Sequence, residues 1–230
     1  MFHNINKMLL LGILVIAVFM GGVNLLSAAG EKHLIVIDPA HGGKDTGVKI
    51  KDKVYEKDIT LAIALALQKE LVKEGNIQVI LTRDSDIELS PEERKKILEK
   101  IKPGFFLSLH INSGFGKKAS GFELYYPGFK GDMEAKKKDK DSASQARNKH
   151  LNEAVRMAHF IQRNLDTLFP RKGRGIREAD LPIMDGLLIP ALVVEMSFAS
   201  NTEDKKKLLS PKAQVEIAKA LSKGIKSFFR

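Results

Sequence analysis

Apolar positions along the chain alternate between short, almost unbroken runs and longer stretches with helical spacing. Residues 34–37, 105–109 and 191–194 are runs of the first kind. Their length and their lack of polar alternation predict strands buried on both faces, as in a mostly parallel sheet covered by helices. Further strands are expected at residues 78–81 and near residues 121–126. Between the runs, Ile59, Ile63, Leu67 and Leu71 recur at helical spacing over residues 58–74. A second helix is signalled over residues 90–101 by Ser90-Pro91-Glu92-Glu93, a capping-box start with proline at the first helical position. Leu151, Val155, Ala158, Leu165 and Leu168 predict a long helix over about residues 144–168, and Val215, Ala218, Leu221, Ile225 and Phe228 a last one from Pro211. The order predicts an α/β fold: one domain with a mixed, mostly parallel β-sheet and helices on both faces. No internal repeat and no second domain interrupts the pattern.

The N-terminal 29 residues follow a different pattern. Lys7 is their only charged side chain, residues 8–29 carry none, and the densest apolar part spans residues 8–20. That core suits a signal peptide better than a bilayer span of about 20 residues. Ser27-Ala28-Ala29 supplies small residues for cleavage, whereas residues 21–26 extend the run toward a retained membrane anchor. Both readings place residues 30–230, the expected catalytic domain, outside the cytoplasm, in the periplasm or cell envelope.

Charge and composition narrow the classes of partner. The formal net charge is +10, to which the leader contributes only Lys7. A cationic domain suits anionic wall polymers or nucleic acid. With no Trp, three Tyr and no recognisable binding motif, nucleic acid is disfavoured. The absence of Cys removes thiol nucleophiles, disulfides and cysteine-based zinc sites together. Neither H-E-x-x-H nor G-x-S-x-G occurs, and Gly42-Gly43-Lys44-Asp45-Thr46-Gly47-Val48 lacks the lysine of a phosphate loop. That glycine-containing segment is better read as a turn.

Three of the apolar runs end on residues with chemistry. His41 follows the first in Asp38-Pro39-Ala40-His41-Gly42-Gly43, His110 closes the second in Ser108-Leu109-His110-Ile111-Asn112, and Glu195 closes the third. The carboxyl edge of an open α/β sheet is where side chains from distant segments meet. Glu56 stands at the start of the first helix, where a carboxylate favours the helix dipole. Two histidines and a glutamate are a common zinc ligand set that leaves one position for water, and a further glutamate is the usual base. A carboxylate ending a run as apolar as Ile189-Pro190-Ala191-Leu192-Val193-Val194 must be paired, metal-bound or protonated. Taken singly, each residue has a structural explanation; together they point to a zinc hydrolase.

These segments resemble the zinc-dependent N-acetylmuramoyl-L-alanine amidases of bacterial peptidoglycan, amidase type 3. The resemblance is carried by Asp38-Pro39-Ala40-His41-Gly42-Gly43, Glu56, Thr82-Arg83, Ser108-Leu109-His110-Ile111-Asn112 and Val194-Glu195-Met196-Ser197-Phe198-Ala199-Ser200-Asn201, in that order. It extends from His33 to the C-terminus. Ala40 and Ser197 stand where glycine is common, and Arg94 is the candidate for an arginine in the helix before the second histidine. The resemblance implies one Zn2+ held by His41, Glu56 and His110, with Glu195 taking the proton of the attacking water and passing it to the leaving amine. The bond cut would be the amide between the lactyl group of N-acetylmuramic acid and L-alanine. Asp38 and Asn112 are candidates for orienting the imidazoles.

Two polar segments lie outside this core. Residues 127–143 are lysine-rich, with Lys136-Lys137-Lys138-Asp139-Lys140, and read as a solvated loop. Some related amidases carry an insertion here that covers the zinc until a partner displaces it; this one is too short and too charged, so an open or lightly gated site is expected. Arg171-Lys172-Gly173-Arg174-Gly175-Ile176-Arg177 forms a second basic patch, suited either to stem-peptide carboxylates or to solvent. Competing readings are a noncatalytic wall-binding protein of the same fold, which loss of one of the four site residues would mark, and a zinc hydrolase of another envelope amide or ester. An activator protein is neither indicated nor excluded.

Overall fold

A computed structural model describes residues 32–114, 116–128, 140–170, 172 and 174–230. The leader, most of the lysine-rich loop, and Arg171 and Gly173 of the basic patch lie outside the described residues. Among the described residues, no helix is long and apolar enough to cross a membrane. Residues 33–230 form one compact unit.

The strands are β1 (His33–Pro39), β2 (Lys49–Lys51), β3 (Val54–Tyr55), β4 (Ile77–Leu81), β5 (Phe105–Asn112), β6 (Glu123–Pro127), β7 (Ile176–Ala179) and β8 (Ala191–Phe198). The helices are α1 (Glu56–Leu71), continued by a 3-10 turn at Val72–Glu74, α2 (Pro91–Ile101), α3 (Lys140–Leu165), α4 (Thr202–Leu208) and α5 (Pro211–Phe228). Six strands make the sheet in the order β4-β1-β5-β8-β6-β7. Every neighbouring pair is parallel except β6 with β8. The expected mixed, mostly parallel sheet is therefore present, with β6 and β7 running opposite to the rest.

Period-two alternation divides the strand residues between two cores. Ile35, Ile37, Leu107, Leu109, Leu192 and Val194 pack with Ile63 and Leu67 of α1, Met157 and Ile161 of α3, and Leu221 and Ile225 of α5. Val36, Phe106, Ala191 and Val193 face the other way, onto Leu98 of α2 and Met184 of the segment before β8. This second layer covers the sheet less extensively. On that face, Asp38, Ser108, His110, Glu195 and Glu123 follow in line with the apolar positions toward the carboxyl ends of β1, β5 and β8.

Local chemistry sets the helix starts. Ser90 caps α2 by accepting from Glu93 N at 3.2 Å, while the Glu93 carboxylate accepts from Ser90 N at 2.7 Å, the reciprocal box read from the sequence. Asp58 accepts from Tyr55 N at 2.9 Å in front of α1. That fixes where α1 begins, two residues earlier than its apolar spacing suggests, and makes Glu56 its first residue. The short β2/β3 pair, β7 and α4 have too few apolar positions to be recognised by periodicity. Each is stabilised by its neighbours: β7, for example, pairs Ile176 with Leu124 on the outer edge of the sheet.

Candidate metal centre

His41 lies just beyond β1 in a left-handed backbone conformation, φ +63°. This unusual turn swings its imidazole back over the sheet edge. Gly47 in the following loop, itself at φ +61°, passes so close that a Cβ there would lie 2.6 Å from His41 Cδ2 and 2.7 Å from Glu56 Oε2. The glycine-containing segment thus lets the backbone pass beside the two side chains. Glu56 is brought back to His41 by the same loop, with Glu56 N donating to Val48 O at 2.8 Å and Val48 N to Glu56 Oε2 at 3.0 Å.

His41, Glu56 and His110 each place a ligand atom within 4.8 Å of the others. Glu56 Oε1 is 3.2 Å from His41 Nε2 and 3.4 Å from His110 Nδ1. Ligand atoms about 2.0–2.1 Å from a shared tetrahedral zinc stand roughly 3.3 Å apart. Two nitrogens and a carboxylate oxygen at these separations fit the donor set and the spacing of a zinc site. The free carboxylate also accepts from Ile111 N at 2.9 Å, which fixes its orientation between the rings. Despite burial, which would raise it, the hydrogen bonds from His110 and His41 hold the Glu56 carboxyl well below the usual range. Burial alone would lower His41, but the carboxylates of Glu56 and Asp45 outweigh it and raise the imidazole to about 9 in the metal-free protein.

Asp45 orients the His41 ring. Its Oδ2 stands 2.8 Å from His41 Nδ1, leaving Nε2 turned to Glu56. The spacing of four residues across a glycine turn gives no helical or strand signal, so Asp45 escapes sequence reasoning. Asp38, expected in such a role, lies elsewhere: it shares the face of Val36 along β1 and meets Arg94, Thr82 Oγ1 and, at 2.8 Å, Ser108 Oγ. Asn112 is likewise not an imidazole partner. It projects from the same face as His110, donating to Glu123 Oε2 at 2.7 Å and accepting from Gly114 N at 2.9 Å.

Two buried arginines brace the ligand-bearing segments. Arg83 donates to Pro39 O, Ala40 O and Lys57 O, each at 2.9 Å, so one guanidinium joins the end of β1 to the first turn of α1. Arg94 donates to His41 O at 2.8 Å from its second nitrogen while its first pairs with Asp38. The arginine inferred for α2 thus supports the histidine turn directly.

Glu195 sits in β8 as the register partner of His110 in β5 and of Glu123 in β6. Its Oε2 is buried with no hydrogen-bond partner among the described residues. Burial raises its carboxyl to about 7; nearby His110 opposes the rise, and the Glu56 and Glu123 carboxylates add to it. Glu123, by contrast, is buried but well served, accepting from Asn112, from Tyr125 OH at 2.8 Å and from Arg174 Nε at 2.8 Å. Its role is not evident from the sequence. The available signal is a carboxylate between Phe122 and Leu124, inside a strand whose neighbours both face the core.

The four chemistry-bearing residues singled out in the sequence therefore converge on one sheet edge, and comparison with known proteins gives the site a family. The family model described as N-acetylmuramoyl-L-alanine amidase matches residues 35–227. The germination-specific N-acetylmuramoyl-L-alanine amidase of Bacillus subtilis is 29% identical over 210 residues, covering 85% of this chain and 79% of that protein. AmiC of Escherichia coli is 26% identical over 219 residues, 85% of this chain, which spans about half (52%) of the relative. The structure of the CwlD amidase of Clostridioides difficile, solved in complex with the GerS lipoprotein, superposes with TM-score 0.71 at 28% identity, covering 86% of this chain and 98% of that one. Motif order, fold and family match agree: the chain belongs to the N-acetylmuramoyl-L-alanine amidase family.

Proposed function

We propose that the protein is a zinc-dependent amidase that hydrolyses the amide between N-acetylmuramic acid and L-alanine in peptidoglycan, with His41, Glu56 and His110 holding one Zn2+ and Glu195 transferring protons. The observation that carries the reading is Glu195: a buried carboxylate oxygen with no partner among the described residues, in register beside His110 and next to a three-residue ligand set. A buried acceptor left without a donor is costly in a purely structural role. It is suited to a water or an amine arriving with substrate.

Bound zinc supplies Lewis acidity, polarising the carbonyl of the scissile amide and making water acidic enough to react near neutral pH. Glu56, fixed by Ile111 N and Val48 N, keeps its carboxylate between the two imidazoles. Asp45 holds His41 with Nε2 inward. Glu195 takes a proton from the attacking water and returns it to the L-alanine nitrogen as the carbon–nitrogen bond breaks. A carboxyl raised to about 7 is matched to both halves of that task. Family membership and the apolar leader support action outside the cytoplasm, on the wall polymer, with residues 8–29 as signal or anchor.

The reading is tested by digesting purified peptidoglycan with the full chain, chelated and then resupplied with zinc, alongside Glu195→Gln. Zinc-dependent release of stem peptides with a free L-alanine amine, absent with the variant, is expected. Intact glycan–peptide linkages in the presence of zinc-loaded protein would overturn it.

A further inference from the structure

Next to the proposed catalytic glutamate, the sheet carries a second charged cluster that proton transfer and metal binding do not use. Glu195 pairs in register with His110 on one side and Glu123 on the other, so the three side chains project from the same face of the sheet. Tyr125 lies two residues beyond Glu123 and Arg177 is its partner in β7, which puts Arg177 on this face as well. Glu123 Oε1 receives Arg174 Nε at 2.8 Å and lies 3.6 Å from Arg177 Nη1. Arg177 also donates to Arg174 O at 3.2 Å, which ties the two arginines together. The Arg174 guanidinium rests 5.5 Å over the Phe198 ring.

One carboxylate thus serves two guanidiniums, and the balance is asymmetric in burial. The Glu123 side chain is 4% exposed, while those of Arg174 and Arg177 are 44% and 49% exposed. A buried carboxylate fully engaged by Asn112, Tyr125 and Arg174 acts as an anchor, holding cationic groups whose outer sides meet solvent. Arginine held in this way is pre-organised for a second carboxylate, because its planar fork loses little freedom on binding. Strands about 4.8 Å apart put Glu123, on whose carboxylate both guanidiniums close, roughly 10 Å from His110 along the rung that contains Glu195. That is the reach of about two or three extended residues.

We infer that Arg174 and Arg177 form a carboxylate subsite for the peptide side of the scissile amide, receiving the free carboxylate of the residue that follows L-alanine. The inference rests on the amidase reading for the identity of the scissile bond. It makes the arginine pair a specificity determinant: a substrate with a free carboxylate at that residue is favoured over its amide. Arg177 is the residue to vary, since removing Arg174 strips a buried carboxylate of its closest cation.

The test compares N-acetylmuramoyl-L-alanyl-D-isoglutamate with its isoglutamine counterpart, using zinc-loaded full-length protein and Arg177→Ala and Arg177→Lys. The wild type is expected to prefer the acid by about tenfold in kcat/KM, the size of one good charge-assisted contact. Arg177→Ala should lose that preference, chiefly through a higher KM for the acid, and retain its zinc. Arg177→Lys should keep part of it. Equal handling of both substrates by the wild type, or equal slowing of both in Arg177→Ala, overturns the subsite. If neither compound is cut, their binding to zinc-loaded Glu195→Gln protein, with and without Arg177→Ala, decides. Arg177-dependent preference for the acid supports the subsite and equal binding overturns it, while the amidase reading is decided separately by the digestion of peptidoglycan.

Discussion

Glu195 and His110 are register partners on the parallel strands β8 and β5, so the proposed proton-transfer group and a proposed metal ligand stand on one rung of the sheet. The glutamate's Oε2 is buried without a partner among the described residues, whereas Glu56 is held by two backbone N–H groups and two imidazoles. The two carboxylates are pushed in opposite directions, Glu195 up to about 7 and Glu56 below its usual range. The divergence suits Glu195 to the proposed proton transfer and Glu56 to the proposed binding of zinc.

Glu195→Gln keeps the shape and removes the proton acceptor. Hydrolysis should fall by about 10²- to 10⁴-fold, with zinc content unchanged by atomic absorption. Stability carries a second signature. A carboxyl raised from 4.5 to about 7 binds more protons in the folded chain than in the unfolded one. Its contribution to metal-free stability therefore decreases as pH rises from about 4.5 to 7. Denaturant titrations across that window should show the wild type losing stability relative to Glu195→Gln; parallel curves would remove the assigned burial effect.

Zinc uptake should displace a proton from His41. Its imidazole is raised to about 9 in the metal-free protein by Glu56 and Asp45 acting against burial, so it is protonated at pH 7 and must lose that proton to ligate. Affinity should rise by about tenfold per pH unit up to roughly pH 9. Calorimetry at pH 7 in buffers of different ionisation enthalpy should report release of about one proton per zinc.

Asp45 fixes the ring that carries that proton, through the 2.8 Å contact to Nδ1. Asp45→Ala should weaken zinc binding by about 10- to 100-fold, and since its side chain is 59% exposed, leave the fold nearly as stable. Competition with a chromogenic chelator gives the affinity, and thermal unfolding of the metal-free variant gives the control.

Much of this site is legible in the chain because the sheet's geometry does the assembling. Apolar runs ending in His110 and Glu195 become adjacent strands β5 and β8, and a third, β1, delivers His41 one turn later. Parallel strands of similar length bring their ends together without any further instruction. The arginine of Thr82-Arg83 belongs to a motif, but its role as a clamp between Pro39, Ala40 and Lys57 is a matter of tertiary reach that spacing does not convey. Glu123 and β7 are harder still. β7 has only Ile176 and Ala179 as apolar positions on an edge strand, and the antiparallel pairing of β6 with β8, which brings Glu123 beside Glu195, joins segments far apart in the chain and has no local pattern. Asp38 shows the converse: its place before His41 suggests an imidazole partner, but the pleat turns it toward Ser108 and Arg94.

Gly47 offers the sharpest separation between backbone strain and intrusion into the site. At φ +61°, any other residue there carries the cost of a left-handed conformation, about 1–2 kcal/mol. Gly75, after the 3-10 turn that follows α1, has φ +79°, but a Cβ there would meet nothing within 4 Å. Gly75→Ala should therefore show the backbone cost alone, lowering stability by about 1–2 kcal/mol, with zinc affinity unaltered. Gly47→Ala adds a methyl that must displace His41 or Glu56, two of the three proposed ligands, because it would lie 2.6 Å and 2.7 Å from their atoms. A loss of zinc affinity of at least about tenfold is expected for Gly47→Ala, beyond any loss of stability shared with Gly75→Ala. Equal zinc affinity in the two variants would mean that the loop can move away from the ligands, and that Gly47 is needed for its turn rather than for the space it leaves beside them.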